Sequence, residues 1–137
     1  MDALKGTAFT GEGLLWAYDN KAWCIGIKNF KPANSIEGLD CLEVHKETDE
    51  IFVHIQGSCC LLMRDTDGSF HGAMMEAGSL YKVPQGVWHT TVTKPGAKMV
   101  IAEKSGTNMT NSEIMKLDAK EQAAAKAAVK ASGFDKS

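Results

Sequence analysis

No apolar run in the 137-residue sequence approaches the roughly 20 residues that a membrane-spanning helix needs. The opening stretch MDALKGTAFTGEG lacks the basic-then-apolar layout of a secretory leader. No membrane partner and a cytoplasmic location are therefore expected. Charge of one sign is also missing: 15 basic against 17 acidic side chains leave a net charge of -2, with no basic stripe to draw in nucleic acid. Cysteine is sparse and badly spaced for chemistry. Cys24, Cys41, Cys59 and Cys60 form no C-x-x-C pair, which speaks against a zinc ribbon or a thioredoxin-like centre and leaves buried thiols as the expectation. Internal repeats are absent.

What is there has ordinary globular proportions, 44% hydrophobic and 23% charged, in a length that supports one domain around one core. From Leu14 to about Glu103 the chain is a succession of short strand-like runs broken by turn residues, which reads as an all-β sandwich or barrel. Asp19 and Asn20 separate two apolar, aromatic-rich runs and predict a hairpin, and Asp65 to Gly68 predict another. Cys59 and Cys60 should face opposite sides of one strand, because neighbouring side chains alternate across a sheet.

After Asn108 the composition changes to the alanine-rich DAKEQAAAKAAVKASGFDKS, a helix pattern. Asp118 and Glu121 have capping-box spacing, and Gly133 suits a left-handed stop from which Phe134 can reach back to Val129. The expected division is a barrel with its N-terminal hairpin over 1–110 and a helical tail over 111–137. With few large apolar residues, the tail is expected to bury little and to be dispensable for the barrel.

The chemistry concentrates in EVHKETDEIFVHIQG and GSLYKVPQGVWHTTVT. Glu43 and His45 are two apart on a strand and so share a face, and Glu50 opens the next strand. Gly78, Pro84, Gly86 and His89 then follow the spacing of the second cupin motif, with Thr93 where an asparagine closes it. His45, Glu50 and Gly57 follow the first cupin motif, with Glu43 in place of its leading histidine and the preceding glycine offset to Gly38. On these residues, roughly 38–93, the sequence resembles the small single-domain members of the cupin superfamily. That resemblance implies a double-stranded β-helix, the jelly-roll barrel, to which the C-terminal helix read from its own composition is added outside. It also implies one divalent ion inside the barrel, with Glu43, His45, Glu50 and His89 as its ligands.

Two carboxylates and two imidazoles make a hard, anionic set that would neutralise a divalent charge and suits iron, manganese or zinc, with nickel also open. If Glu43 is not a ligand, it becomes a candidate general base, with Tyr81 as a second proton carrier if it points inward. The expected function is uptake of a small organic acid, sugar or related metabolite in the barrel mouth. Metal-dependent isomerase, lyase or dioxygenase chemistry is one reading, and a non-catalytic binding or sensor barrel is the other. Cupins that resemble this one often pair, and the aromatic N-terminal hairpin gives a surface for a homodimer. Asp65, Asp67 and Glu76 mimic the first, third and twelfth positions of a calcium loop, but Phe70 occupies the place of the turn glycine. His54, about 13 Å along the strand from Glu50, is too far to share its ion.

Overall fold

The computed structural model describes residues 1–137, the side chain of Asp2 excepted. Ten strands alternate with turns: β1 (Gly13–Asp19), β2 (Trp23–Asn29), β3 (Cys41–His45), β4 (Glu50–Gln56), β5 (Cys59–Arg64), β6 (Phe70–Met74), β7 (Leu80–Val83), β8 (Trp88–Thr93), β9 (Lys98–Lys104) and β10 (Ser112–Lys116). One helix, α1 (Ala119–Ala131), follows them. The strands form two five-stranded antiparallel sheets, ordered β1-β2-β9-β4-β7 and β10-β3-β8-β5-β6. This is the jelly-roll barrel. Among the described residues no helix is long and apolar enough to cross a membrane.

The turns form where the sequence signals them. Asn20 to Ala22 join β1 and β2, with the Asn20 side chain accepting from the Ala22 and Trp23 amides. Gly57 has a positive φ of 75°, and a Cβ there would lie 2.7 Å from the Ala97 backbone. Any other residue would push the β4–β5 turn away from the β8–β9 turn. The amide of Gly86 donates to the carbonyl of His45 at 2.9 Å and ties the second motif to the first.

Alternation within each strand builds two separate cores. Inside the barrel, Phe52, Cys59, Leu61, Met75, Val83, Met99 and Ile101 pack together. Outside the second sheet, Leu39, Leu42, Cys60, Leu62 and Val92 pack against Leu117, Ala125, Val129 and Phe134. Cys59 and Cys60 fall in different cores, as the pleat requires, and all four cysteines are free thiols.

Two expectations about the tail are corrected. Residues 112–116 are strand rather than tail: β10 pairs with β3 from Ser112 opposite His45 to Lys116 opposite Cys41, so the sheet runs past residue 110. The helix begins and ends as its caps predict, with the reciprocal Asp118–Glu121 box and Gly133 at a φ of 98°. Yet it is no appendage, since Ala125, Val129 and Phe134 are 0, 0 and 2% exposed. Small side chains are the reason. Alanines bring the helix so close that a Cβ on Gly72 of β6 would sit 3.0 Å from the Ala128 carbonyl, and at that distance a few larger groups are fully covered.

Candidate metal centre

β3 supplies Glu43 and His45 from one face, the first residue of β4 supplies Glu50, and β8 supplies His89. Glu43 lies directly opposite His89 across the β3–β8 pair. The second motif delivers that pairing, because its proline–glycine turn is anchored on His45 and releases the chain straight into β8. Four ligating atoms, one from each of Glu43, His45, Glu50 and His89, lie within 4.8 Å of one another. His89 Nε2 is 2.7 Å from Glu50 Oε1, while His45 Nε2 is 3.3 Å from Glu50 Oε1 and 3.6 Å from Glu43 Oε1. His45, Glu50 and His89 are buried and Glu43 is half-exposed.

The outer nitrogens of both rings are held by the protein. His89 Nδ1 donates to the Val87 carbonyl at 2.9 Å, which leaves Nε2 as a lone pair aimed at a carboxylate oxygen unless the ring is doubly protonated. His45 Nδ1 is 2.8 Å from Ser112 Oγ on β10, and its Nε2 is buried without a hydrogen-bond partner. Lone pairs converging on one point, with the far ring nitrogens anchored, are what a cation between them would need. The donor set therefore fits a divalent metal.

A fifth group, missed in the sequence, closes the cluster. Glu103 of β9 lies opposite Glu50, and its buried Oε2, 3.7 Å from His45 Nε2, has no hydrogen-bond partner. Burial and the charge of Glu50 push its carboxyl up to about 8. The contacts with Glu43 and Glu50 raise His45 to about 10, so its ring is protonated between the carboxylates at neutral pH. Glu50 is held at about 2 although burial opposes its charge, because the rings of His45 and His89 face it at 3.3 and 2.7 Å. The signal for Glu103 was present in KMVIAEK, whose inward positions are Met99, Ile101 and Glu103: an acid in the phase of a buried face.

Glu43, Glu50 and His89 line a cavity of about 240 Å³ together with Lys28, Asn34 and Thr91. Tyr81 does not reach it, which corrects its candidacy. It lies opposite Phe52, one inward step beyond the Glu50–Val83 pair, and its hydroxyl accepts from the Glu76 amide at 2.7 Å. His54 is also elsewhere, buried with Nε2 2.7 Å from the Gly57 carbonyl. His71 is exposed on β6 beside Ser69.

The fold of this chain resembles solved cupin structures. Bacillus subtilis oxalate decarboxylase superposes with a TM-score of 0.52 at 19% identity, covering 68% of this chain and 24% of the decarboxylase, so the chain spans about a quarter of that enzyme. A cupin-2 domain protein of Shewanella frigidimarina superposes at 0.53 with 19% identity, covering 70% of this chain and 84% of that one. Streptomyces Pac13, a nucleoside dehydratase, superposes at 0.59 with 9% identity over 82% and 86% of the two chains. No protein-family model and no curated protein matches the sequence. At these identities the likeness is one of fold, and that fold is the cupin barrel.

Proposed function

We propose that this small cupin-fold chain is a metal-dependent enzyme that takes a small organic metabolite, an organic acid or a sugar-like molecule, into its barrel. The observation that carries the reading is the convergence of four ligating atoms within 4.8 Å at the wall of a cavity. His45, Glu50 and His89 would hold one divalent ion, iron, manganese, zinc or nickel, with Glu43 completing the set. Such an ion would supply Lewis acidity that polarises a substrate oxygen, as isomerase and lyase chemistry requires, while dioxygenase chemistry would need a redox-active ion such as iron or manganese. Ser112 and the Val87 carbonyl orient the two imidazoles. Glu43, half-exposed at the cavity, is the remaining candidate for moving a proton if it is free of the ion.

The non-catalytic reading keeps one specific support: Tyr81 is bonded away from the cavity, which removes one of the two proton carriers. The neighbours' named activities, a decarboxylase and a nucleoside dehydratase, favour the enzyme. Elemental analysis of protein purified without chelator or metal-affinity tag tests the metal. The expected result is one divalent ion per chain, with a higher melting temperature than the stripped protein. No ion, and no shift with added manganese, iron, zinc or nickel, would leave a metal-free barrel.

The same reading takes the chain as a homodimer. Leu14 and Trp16 of the edge strand β1 stand opposite Lys28 and Gly26 on the barrel-facing side, yet both are exposed, as are Tyr18 and Trp23. None of the four belongs to the buried core. A monomeric mass by light scattering at micromolar concentration would remove the dimer.

A further inference from the structure

We infer that Lys28 is the anion-binding residue of this cavity, and that the metabolite is a small hydroxy acid whose carboxylate pairs with it. The inference rests on the proposed metal site and specifies what that site takes up.

Along β2 the inward positions are Cys24, Gly26 and Lys28, which lie opposite Glu103, Ile101 and Met99 of β9. A lysine in that phase aims an ammonium group into the barrel. Removing it from water is costly unless something compensates, and the protein compensates it poorly. Among the described residues its ammonium makes one hydrogen bond, to Thr91 Oγ1 at 3.0 Å, a neutral hydroxyl, which leaves two of its three donors without a protein acceptor there. Burial accordingly holds Lys28 below its usual range, against the pull of Glu50 and Glu43. Those carboxylates are engaged elsewhere, by His89 and His45.

Thr91 fixes the location. It lies two residues beyond His89 on β8 and shares its face, so the ammonium sits one inward step, about 7 Å of strand, from the histidine. Asn34 leans on the same residue, with Nδ2 3.5 Å from the Thr91 carbonyl, and its buried Oδ1 has no partner. An unused cation and an unused acceptor thus line one cavity beside the metal centre. The charge balance agrees. A divalent ion would neutralise Glu43 and Glu50, and among the remaining charged residues of the lining, Lys28, Lys31 and Asp40, the cations are in excess. A carboxylate answers Lys28, a hydroxyl answers Asn34, and the other end of a molecule of about four carbons reaches the metal ligands across the step of about 7 Å.

The test uses the full chain loaded with manganese and titrated calorimetrically with L-malate, succinate and neutral erythritol. The expected order is malate, then succinate, with erythritol not binding. Lys28→Gln should keep one manganese per chain while losing roughly ten- to a hundredfold in malate affinity, the range of a hydrogen bond to a charged group. Lys28→Met should lose the same affinity and melt at a higher temperature, because an ammonium turned into the cavity without its anion opposes folding, whereas a lysine kept for structure would melt lower when replaced. Equal malate affinity in Lys28→Gln and the native chain, erythritol binding as tight as malate, or no malate binding at millimolar concentration would each overturn the inference. Metal content is read separately. A native chain without manganese overturns the metal reading, and malate binding to that metal-free chain still decides Lys28, standing if Lys28→Gln abolishes it and falling if it does not.

Discussion

The two faces of the second sheet belong to the same strands and have opposite chemistry. On β3, Leu42 enters the outer core while Glu43 and His45 face the site, and on β8, Val92 packs outward while His89 and Thr91 face inward. The outer face is apolar and sealed by α1, whereas the inner face gathers buried groups without a hydrogen bond, His45 Nε2 and, from the opposite sheet, Glu103 Oε2. A one-residue slip would exchange them. Stability and chemistry are therefore divided by the pleat rather than by position along the chain, and substitutions on one face should leave the property of the other largely intact.

The largest effect is expected on the outer face. Deleting residues 118–137 strips the cover from Leu42, Cys60, Leu62 and Val92, and the barrel should lose cooperative unfolding or aggregate. Phe134→Ala, the milder version, should cost about 3–5 kcal/mol in urea denaturation while the folded fraction still binds one metal ion per chain. A truncated chain that melts like the full one would erase the distinction between the faces.

On the inner face the order reverses. His89→Ala removes a proposed ligand and should abolish stoichiometric metal, and it should lower the metal-free melting temperature, because it empties a buried position and takes from Glu50 one of its two imidazole contacts. It should also lose the stabilisation that metal confers on the native protein, about 2.7 kcal/mol at a metal concentration one hundred times the dissociation constant. Melting curves of both chains with and without manganese measure it. A variant that still gains stability from manganese would place the ion elsewhere.

Smaller, and confined to the metal-free protein, is a dependence on pH. His45 rises from 6.5 to about 10 on folding, so the stability it contributes is complete below about 6.5 and is lost as pH climbs towards 10. Glu103 is raised from 4.5 to about 8, so the folded state resists its ionisation and loses stability over that interval. Glu50 has the opposite sign: lowered from 4.5 to about 2, it contributes fully above 4.5 and fades as pH falls towards 2. The metal-free melting temperature should peak near pH 4.5, decline as Glu103 loses its contribution, and decline more steeply above about 6.5, where His45 joins it. With metal bound, the His45 proton is displaced and the alkaline decline should flatten. An alkaline slope equally steep with and without metal would show that the ion and that proton do not share a place.

How much of this was legible in the sequence follows the same division. The strand succession, the turns at Asn20 and Gly68, the capping box at Asp118 and the shared face of Glu43 and His45 all rest on local rules, and local rules are readable in order along a chain. His89 was reached only through motif spacing, since its pairing with Glu43 joins residues 46 positions apart. Glu103 and Lys28 were missed because each is a single charged side chain in an otherwise apolar alternation. Such a residue gains its meaning from the sheet opposite. The tail was misjudged for a different reason: hydrophobic patterning counts large side chains, whereas close approach of an alanine face covers Val129 and Phe134 completely enough to make a core of them.

The smallest effect, and the one that divides the remaining roles, is expected at Glu43, which is half-exposed where its neighbours are buried. Its carboxyl is held below the ordinary range by His45 against burial, so it is ionised at neutral pH and can serve either as a ligand or as a base. As a ligand, it is one of two negative charges balancing the ion. Glu43→Gln should then weaken metal affinity while leaving the three buried ligands in place, and Glu43→His should restore it with a changed preference among metals. As a general base, both substitutions would spare the metal and abolish turnover, since neither side chain reproduces a carboxylate at that position. Metal content of Glu43→Gln separates the two. Full occupancy would end the ligand role, and a substoichiometric chain rescued by Glu43→His would end the role of Glu43 as a base that stands free of the ion.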